Sequence, residues 1–196
     1  SKLAPADGIY HIHIGATLRE LGEHGRATVA LEKALALQGN SAQAHYEMGL
    51  THHARGEHTK AAAEYKKAIG LEPERAGYYI ALSKVLYEKH QGEKATQVLQ
   101  KAVALSSSDP TAHLQLGTAF LDQGHLEDAL AEYHQAAALA PKQATYHRHV
   151  GSVLCKMARY RQAIKSLQEA TALDPSDADI QQRLVRVNAL LGADAD

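Results

Sequence analysis

Residues 42–75 read AQAHYEMGLTHHARGEHTKAAAEYKKAIGLEPER, and this stretch decides the fold. Its first half sets His45, Met48, Gly49 and His52 at helical spacing, so they share one stripe. Arg55-Gly56-Glu57 then interrupts the pattern, and Gly supplies the backbone freedom a helix end needs. The second half carries another stripe, Ala61, Tyr65, Ala68 and Leu71, and Pro73 closes it because its ring and missing N–H block further helix. The unit is two antiparallel helices joined by a tight turn.

The unit recurs every 34 residues. Gly15, Gly49, Gly117 and Gly151 keep that spacing, with Ser83 in the gap. So do Ala27, Ala61, Ala95, Ala129 and Ala163; Ala34, Ala68, Ala102, Ala136 and Ala170; and Leu37, Leu71, Leu105, Leu139 and Leu173. Such a period marks a stacked repeat array. The expected organisation is an extension (1–7), five repeats (8–41, 42–75, 76–109, 110–143 and 144–177), a capping helix (178–191) and a tail (192–196). Both ends are expected to fray. Gly49 and Ala61 are read as small residues where two helices approach closely, complemented by the large column Tyr65, Leu99, Tyr133 and Leu167. On the cap, Leu184, Val187 and Leu191 should face inward, and Gln181, Gln182, Arg183 and Arg186 outward.

The fourth copy reads Leu116-Gly117, Phe120, Gly124, Ala129, Tyr133, Ala136, Pro141. This pattern resembles the tetratricopeptide repeat (TPR) family over about nine-tenths of the chain. It departs at Gly39 and Ser107, which replace the terminal Pro, and at His11, His45, His113 and His147, which replace a bulky apolar residue. The resemblance implies an all-α right-handed solenoid of five helix-turn-helix repeats plus a C-terminal capping helix. It also implies a concave groove lined by the first helix of each repeat, where the family holds peptides.

On that groove stripe lie Ile9, Ile12, Ala16 and Arg19, then Tyr46, Leu50 and His53, then Ile80, Lys84 and Tyr87. Leu114, Thr118 and Leu121 follow, then Arg148, Ser152, Cys155 and Lys156, with Gln182 and Arg186 on the cap. The expected surface is an apolar strip with a basic C-terminal end, and Tyr and Arg are residue types that dominate interface energetics. A chaperone-tail clamp is excluded, because Ile12, Ala16, Tyr46, Leu50 and Ile80 offer neither ammonium nor amide.

A net charge of -1 gives no long-range attraction for nucleic acid or anionic lipid. No apolar run is long enough to span a bilayer. The compartment stays open, since a mature exported chain would also lack a signal peptide. Cys155 is the lone cysteine, so no internal disulfide forms. No Gly-rich oxyanion turn, phosphate loop or paired catalytic carboxylates accompany it, and the expectation is a non-enzyme without a cofactor.

Thirteen histidines invite a metal reading. His11/His13, His52/His53 and His147/His149 are too close in sequence to chelate from one helix. The column His11, His45, His113, His147 sets its members at least one repeat apart, about 10 Å by the usual interhelical distance. Packed, hydrogen-bonded histidines are therefore expected, with no metal site and a loss of stability below about pH 6 if the rings are desolvated. The reading is a non-enzymatic adaptor that binds a protein or peptide partner in the groove. A self-assembling homo-oligomeric scaffold is the alternative, and a histidine-based metal carrier a third.

Overall fold

The computed structural model describes residues 5–193, which form eleven helices and no strand. They run α1 (Pro5–Glu20), α2 (His24–Gln38), α3 (Ala42–Ala54), α4 (His58–Leu71), α5 (Ala76–Glu88) and α6 (Gly92–Leu105). Then come α7 (Pro110–Asp122), α8 (Leu126–Leu139), α9 (Ala144–Lys156), α10 (Tyr160–Leu173) and α11 (Ala178–Ala193). The chain divides into two compact units, residues 1–105 with α1–α6 and residues 106–196 with α7–α11.

Within each unit every helix packs on the next, and odd helices also touch: α1 on α3, α3 on α5, α9 on α11. Both alanine columns are buried throughout. The glycines show why. A Cβ on Gly49 would stand 2.5 Å from the Tyr65 ring, one on Gly117 2.8 Å from Tyr133, and one on Gly151 2.7 Å from Leu167. Gly15 meets Leu31 in the same way, which adds Leu31 to the large column.

Turn chemistry repeats as well. Gly22, Gly56 and Gly124 have positive φ at the first-to-second-helix turn, and so do His90 and Ala158 at the equivalent positions. Each turn is closed by a backbone N–H donating five residues back, as from Glu57 to His52 (2.9 Å) and from Arg159 to Leu154 (2.9 Å). That is the Schellman bond that satisfies a helix C-terminus. Side-chain caps start α3, α7 and α11, where Ser41, Asp109 and Asp177 accept backbone N–H bonds.

Two expectations need correction. Helix α1 begins at Pro5, so residues 5–7 are helical rather than frayed; proline is well placed there, since the first helical N–H has no partner to lose. Helix α11 likewise continues through Gly192 and Ala193. The remaining terminal residues, 1–4 and 194–196, lie outside those described. On α11, Ile180 and Val187 are buried and Leu184 packs beside them, whereas Val185 faces solvent among the polar residues.

Candidate functional site

In the first unit, the first-helix face is more tightly packed than a free groove wall. Ile12 is only 6% exposed and packs with Ala34 and Ala44, so it is core and not groove. The reason is geometric: α1 contacts both α2 and α3, and one stripe cannot face both neighbours and solvent. Tyr46 lies 5.0 Å from the Tyr78 ring and 5.9 Å from the Tyr65 ring, measured between centroids. Burial raises its phenol pKa, assisted by Glu47 and opposed by Arg19. Leu50 packs on the cluster around Tyr65, and Ile80 is half-buried. Lys84 is exposed, and Tyr87 is 46% exposed. Arg19 reaches Glu47 across α1 and α3 at 3.4 Å, which removes it as an unpaired groove cation.

In the second unit, Leu114 and Leu121 are also half-buried against the core. The Thr118 hydroxyl donates to the Leu114 carbonyl and lies 3.1 Å from the Tyr133 hydroxyl. The expected apolar strip is therefore partly spent on packing, and among its described large members Ile9 and Tyr87 are the strongly exposed ones.

The basic end differs from expectation in detail. Arg148 donates to Asp179 at 2.8 Å, so its charge is paired. Arg183 holds the same carboxylate at 2.8 Å and also donates to Ser152 at 3.2 Å. Those two guanidinium bonds hold the Asp179 carboxyl below its ordinary pKa. Ser152, Cys155, Lys156 and Arg186 do come together, in a cavity of about 340 Å³ with walls from Leu167, Val187 and Leu190. Arg183, placed on the outer face of the cap by its spacing, lines this cavity too.

Of the histidine column, His45, His113 and His147 are hydrogen-bonded. Nδ1 of His45 pairs with Glu64 at 2.6 Å, and Nδ1 of His113 pairs with Glu132 at 2.6 Å. His147 lies 3.2 Å from Glu169. Burial raises the Glu64 pKa, but hydrogen bonds from Lys67 and His45 outweigh it and leave the carboxyl below its ordinary value. Each of these three rings has a carboxylate partner. A further ring, His149, lies off the column. It stacks 5.0 Å from Tyr133, and burial, then Arg148 and Arg183, depress its pKa to about 4 against the pull of Asp179.

One grouping was not legible from spacing. His53, at the end of α3, meets His58 at the start of α4 and Glu88 at the end of α5. The rule that excluded neighbouring histidines concerns ligands from a single helix, and these come from three.

Paired helices with a five-position turn signature and a glycine-to-large-residue lock define a helical-hairpin repeat protein. Tetratricopeptide repeat models match residues 14–78, 110–143 and 147–179, and a TPR repeat model matches residues 84–124. The chain is a tetratricopeptide repeat protein. Solved structures agree on the fold. Pseudomonas aeruginosa pilF superposes with a TM-score of 0.84 at 22% identity, covering 95% of this chain and 85% of its own. YrrB, described as a TPR protein with an unusual peptide-binding site, gives 0.74 at 24%, covering 93% and 98%. MamA from Desulfovibrio magneticus RS-1 gives 0.76 at 22%, covering 88% and 97%. At these identities the likeness concerns the fold. None of the curated proteins matches the chain by sequence. The family supports a protein-interaction scaffold in general terms. Among the described residues no helix is long and apolar enough to cross a membrane.

Proposed function

We propose that the chain is a non-catalytic adaptor that holds a segment of a partner protein, with the α9–α11 cavity as its anchor point. The observation that carries this reading is the cavity's lining. Lys156, Arg183 and Arg186 meet aliphatic walls from Leu167, Val187 and Leu190, and among the described residues no carboxylate lines the space. Arg183 shares its charge with Asp179, so Lys156 and Arg186 supply the attraction for an incoming anion. A ligand with an acidic side chain or terminal carboxylate beside an aliphatic residue satisfies both halves. Lys84 and Tyr87, exposed on α5, are a separate candidate contact within the first unit by itself.

Selection from a random peptide library on the immobilised chain tests this. Acidic, aliphatic peptides are expected, and Lys156→Glu with Arg186→Glu should weaken them at least tenfold. Selected peptides that bind the double variant equally well refute the cavity reading.

A second reading, self-assembly, has its own observation. The α1–α2 hairpin exposes Tyr10 and Val29 at depressions lined by Ile14, Leu18, Ala30 and Leu37. Light scattering across a concentration series separates the readings, since an assembler grows in mass and an adaptor stays constant.

A further inference from the structure

The junction of α3, α4 and α5 carries a side-chain cluster that no scaffold role requires. Nε2 of His53 lies 2.8 Å from Glu88 Oε2, and Nδ1 of His58 lies 2.9 Å from the same oxygen. The two rings meet edge to face, with centroids 6.0 Å apart. One potential ligand atom from each of the three residues falls within 4.8 Å of the others. We propose that His53, His58 and Glu88 form a binding site for a divalent late first-row transition metal, zinc foremost.

Donor chemistry comes first. Two imidazole nitrogens and one carboxylate oxygen suit zinc, which binds such ligands at about 2.0–2.2 Å and keeps a further position open when three protein groups hold it. Tetrahedral bonds of that length separate ligand atoms by about 3.3 Å. The two nitrogen–oxygen distances therefore need to open by only about half an ångström. Glu88 can accommodate this, because its side chain is 42% exposed.

The second observation concerns His58. Its Nδ1 is buried and has no hydrogen-bond partner, although Glu88 lies within ion-pair distance. The nitrogen is close to the oxygen but off-line, a poor hydrogen bond. A buried ring nitrogen without a proper partner costs free energy, and a cation between the two atoms would satisfy both. Nearby charges do not already fill that role. Lys60 and Arg55 pair with Glu57, His52 donates to Glu57 at 2.7 Å, and Lys89 donates to Thr59 at 3.1 Å. An open depression of about 400 Å³ beside His58 gives solvent access to the remaining coordination positions.

The ligands also hold three helices. Residues 53, 58 and 88 sit on the last turn of α3, the first turn of α4 and the last turn of α5, so a metal would join one repeat to the next. Equivalent positions in the following repeat are Tyr87, Gly92 and Asp122, which cannot form such a site. The site is confined to one junction.

The test uses the full chain without a histidine tag, stripped with a chelator and titrated with zinc by calorimetry, then with cobalt followed by visible absorption. Expected are one equivalent of zinc bound at micromolar affinity or tighter and tetrahedral cobalt bands. His53→Gln, His58→Gln and Glu88→Gln should each weaken binding at least tenfold. His147→Gln with His149→Gln should leave it unchanged. Circular dichroism confirms that each variant is folded, and Glu88→Asp supplies a milder replacement. Absence of stoichiometric binding overturns the proposal. So does binding that survives His53→Gln and His58→Gln in folded protein, which would mean adventitious surface metal only.

Discussion

Ala158 occupies the left-handed region, with φ of 58°, at the turn between α9 and α10. Three of its four counterparts, Gly22, Gly56 and Gly124, are glycine in the same region. The left-handed conformation costs an L-residue about 1–2 kcal/mol because Cβ crowds the following carbonyl oxygen. Ala158→Gly removes that cost but gives the unfolded chain extra freedom, about 0.5–1 kcal/mol in the opposite sense. The difference favours the variant by about 0.5–1 kcal/mol. Nothing else is lost, because Ala158 is exposed and the turn's bonds run through the backbone: Ala158 N–H to Cys155 at 3.1 Å and Arg159 N–H to Leu154 at 2.9 Å. Repeat arrays do not always unfold as one piece, so a global melt is a blunt readout. Amide hydrogen exchange in α9 and α10 is sharper, and protection there should rise about two- to fivefold. Gly56→Ala supplies the reverse, lowering protection in α3 and α4. His90→Gly should gain less, since histidine tolerates this region better than alanine. Unchanged or reduced protection in Ala158→Gly, with helicity intact, would show that the turn stores no strain.

Further outcomes follow from the packing and the charges. Gly117→Ala should destabilise the second unit by about 1–3 kcal/mol, because its Cβ would enter the Tyr133 ring; a denaturant midpoint checks this. His149 has a folded pKa of about 4 against an ordinary 6.5, so the unfolded chain binds its proton first. Stability from this ring is full above about pH 6.5 and falls as pH drops toward 4, by at most about 1.4 kcal/mol per unit and by less given residual solvent contact. Melts of His149→Gln should lack that part of the acid dependence. Tyr46→Ala should lower the melting temperature of the first unit, because its ring packs on Tyr65 and Tyr78. Lys84→Ala, at an exposed side chain, should leave folding intact, as circular dichroism would show.

The repeat was legible because the residues that set it act over short range. Gly49, Ala61, Tyr65 and Ala68 each answer to a partner within the same hairpin, and a constant offset in sequence then means a constant contact in space. Surfaces were harder to read. A first helix touches its own second helix and also the next first helix, as α1 touches α2 and α3. Two buried faces widen the apolar arc beyond one stripe, which is how Ile12 and Tyr46 were assigned to solvent when much of their surface is packed. Ala158 and His90 escaped notice for a simpler reason, since turns are read from glycine and these two keep its conformation without its identity.

The same lattice separates what holds the fold from what can distinguish this chain. Columns that lock helices together vary little: Gly, Gly, Ser, Gly, Gly opposite Leu, Tyr, Leu, Tyr, Leu. Positions 53, 58 and 88 vary freely by comparison. Their equivalents one repeat earlier are Arg19, His24 and Ala54, and one repeat later Tyr87, Gly92 and Asp122. His24 Nδ1 is buried without a hydrogen-bond partner, like that of His58, but the carboxylate counterpart there is an alanine. Burial of that nitrogen thus recurs without an acidic partner, and only the second junction adds the imidazole and carboxylate that complete a ligand set. The cavity at Lys156 and Arg186 follows the same logic, since Asp122 stands at the Lys156 position one repeat earlier and Ser152 takes the place of Arg186. Opposite charge at a shared lattice position gives each junction its own electrostatic preference without disturbing the packing beneath it.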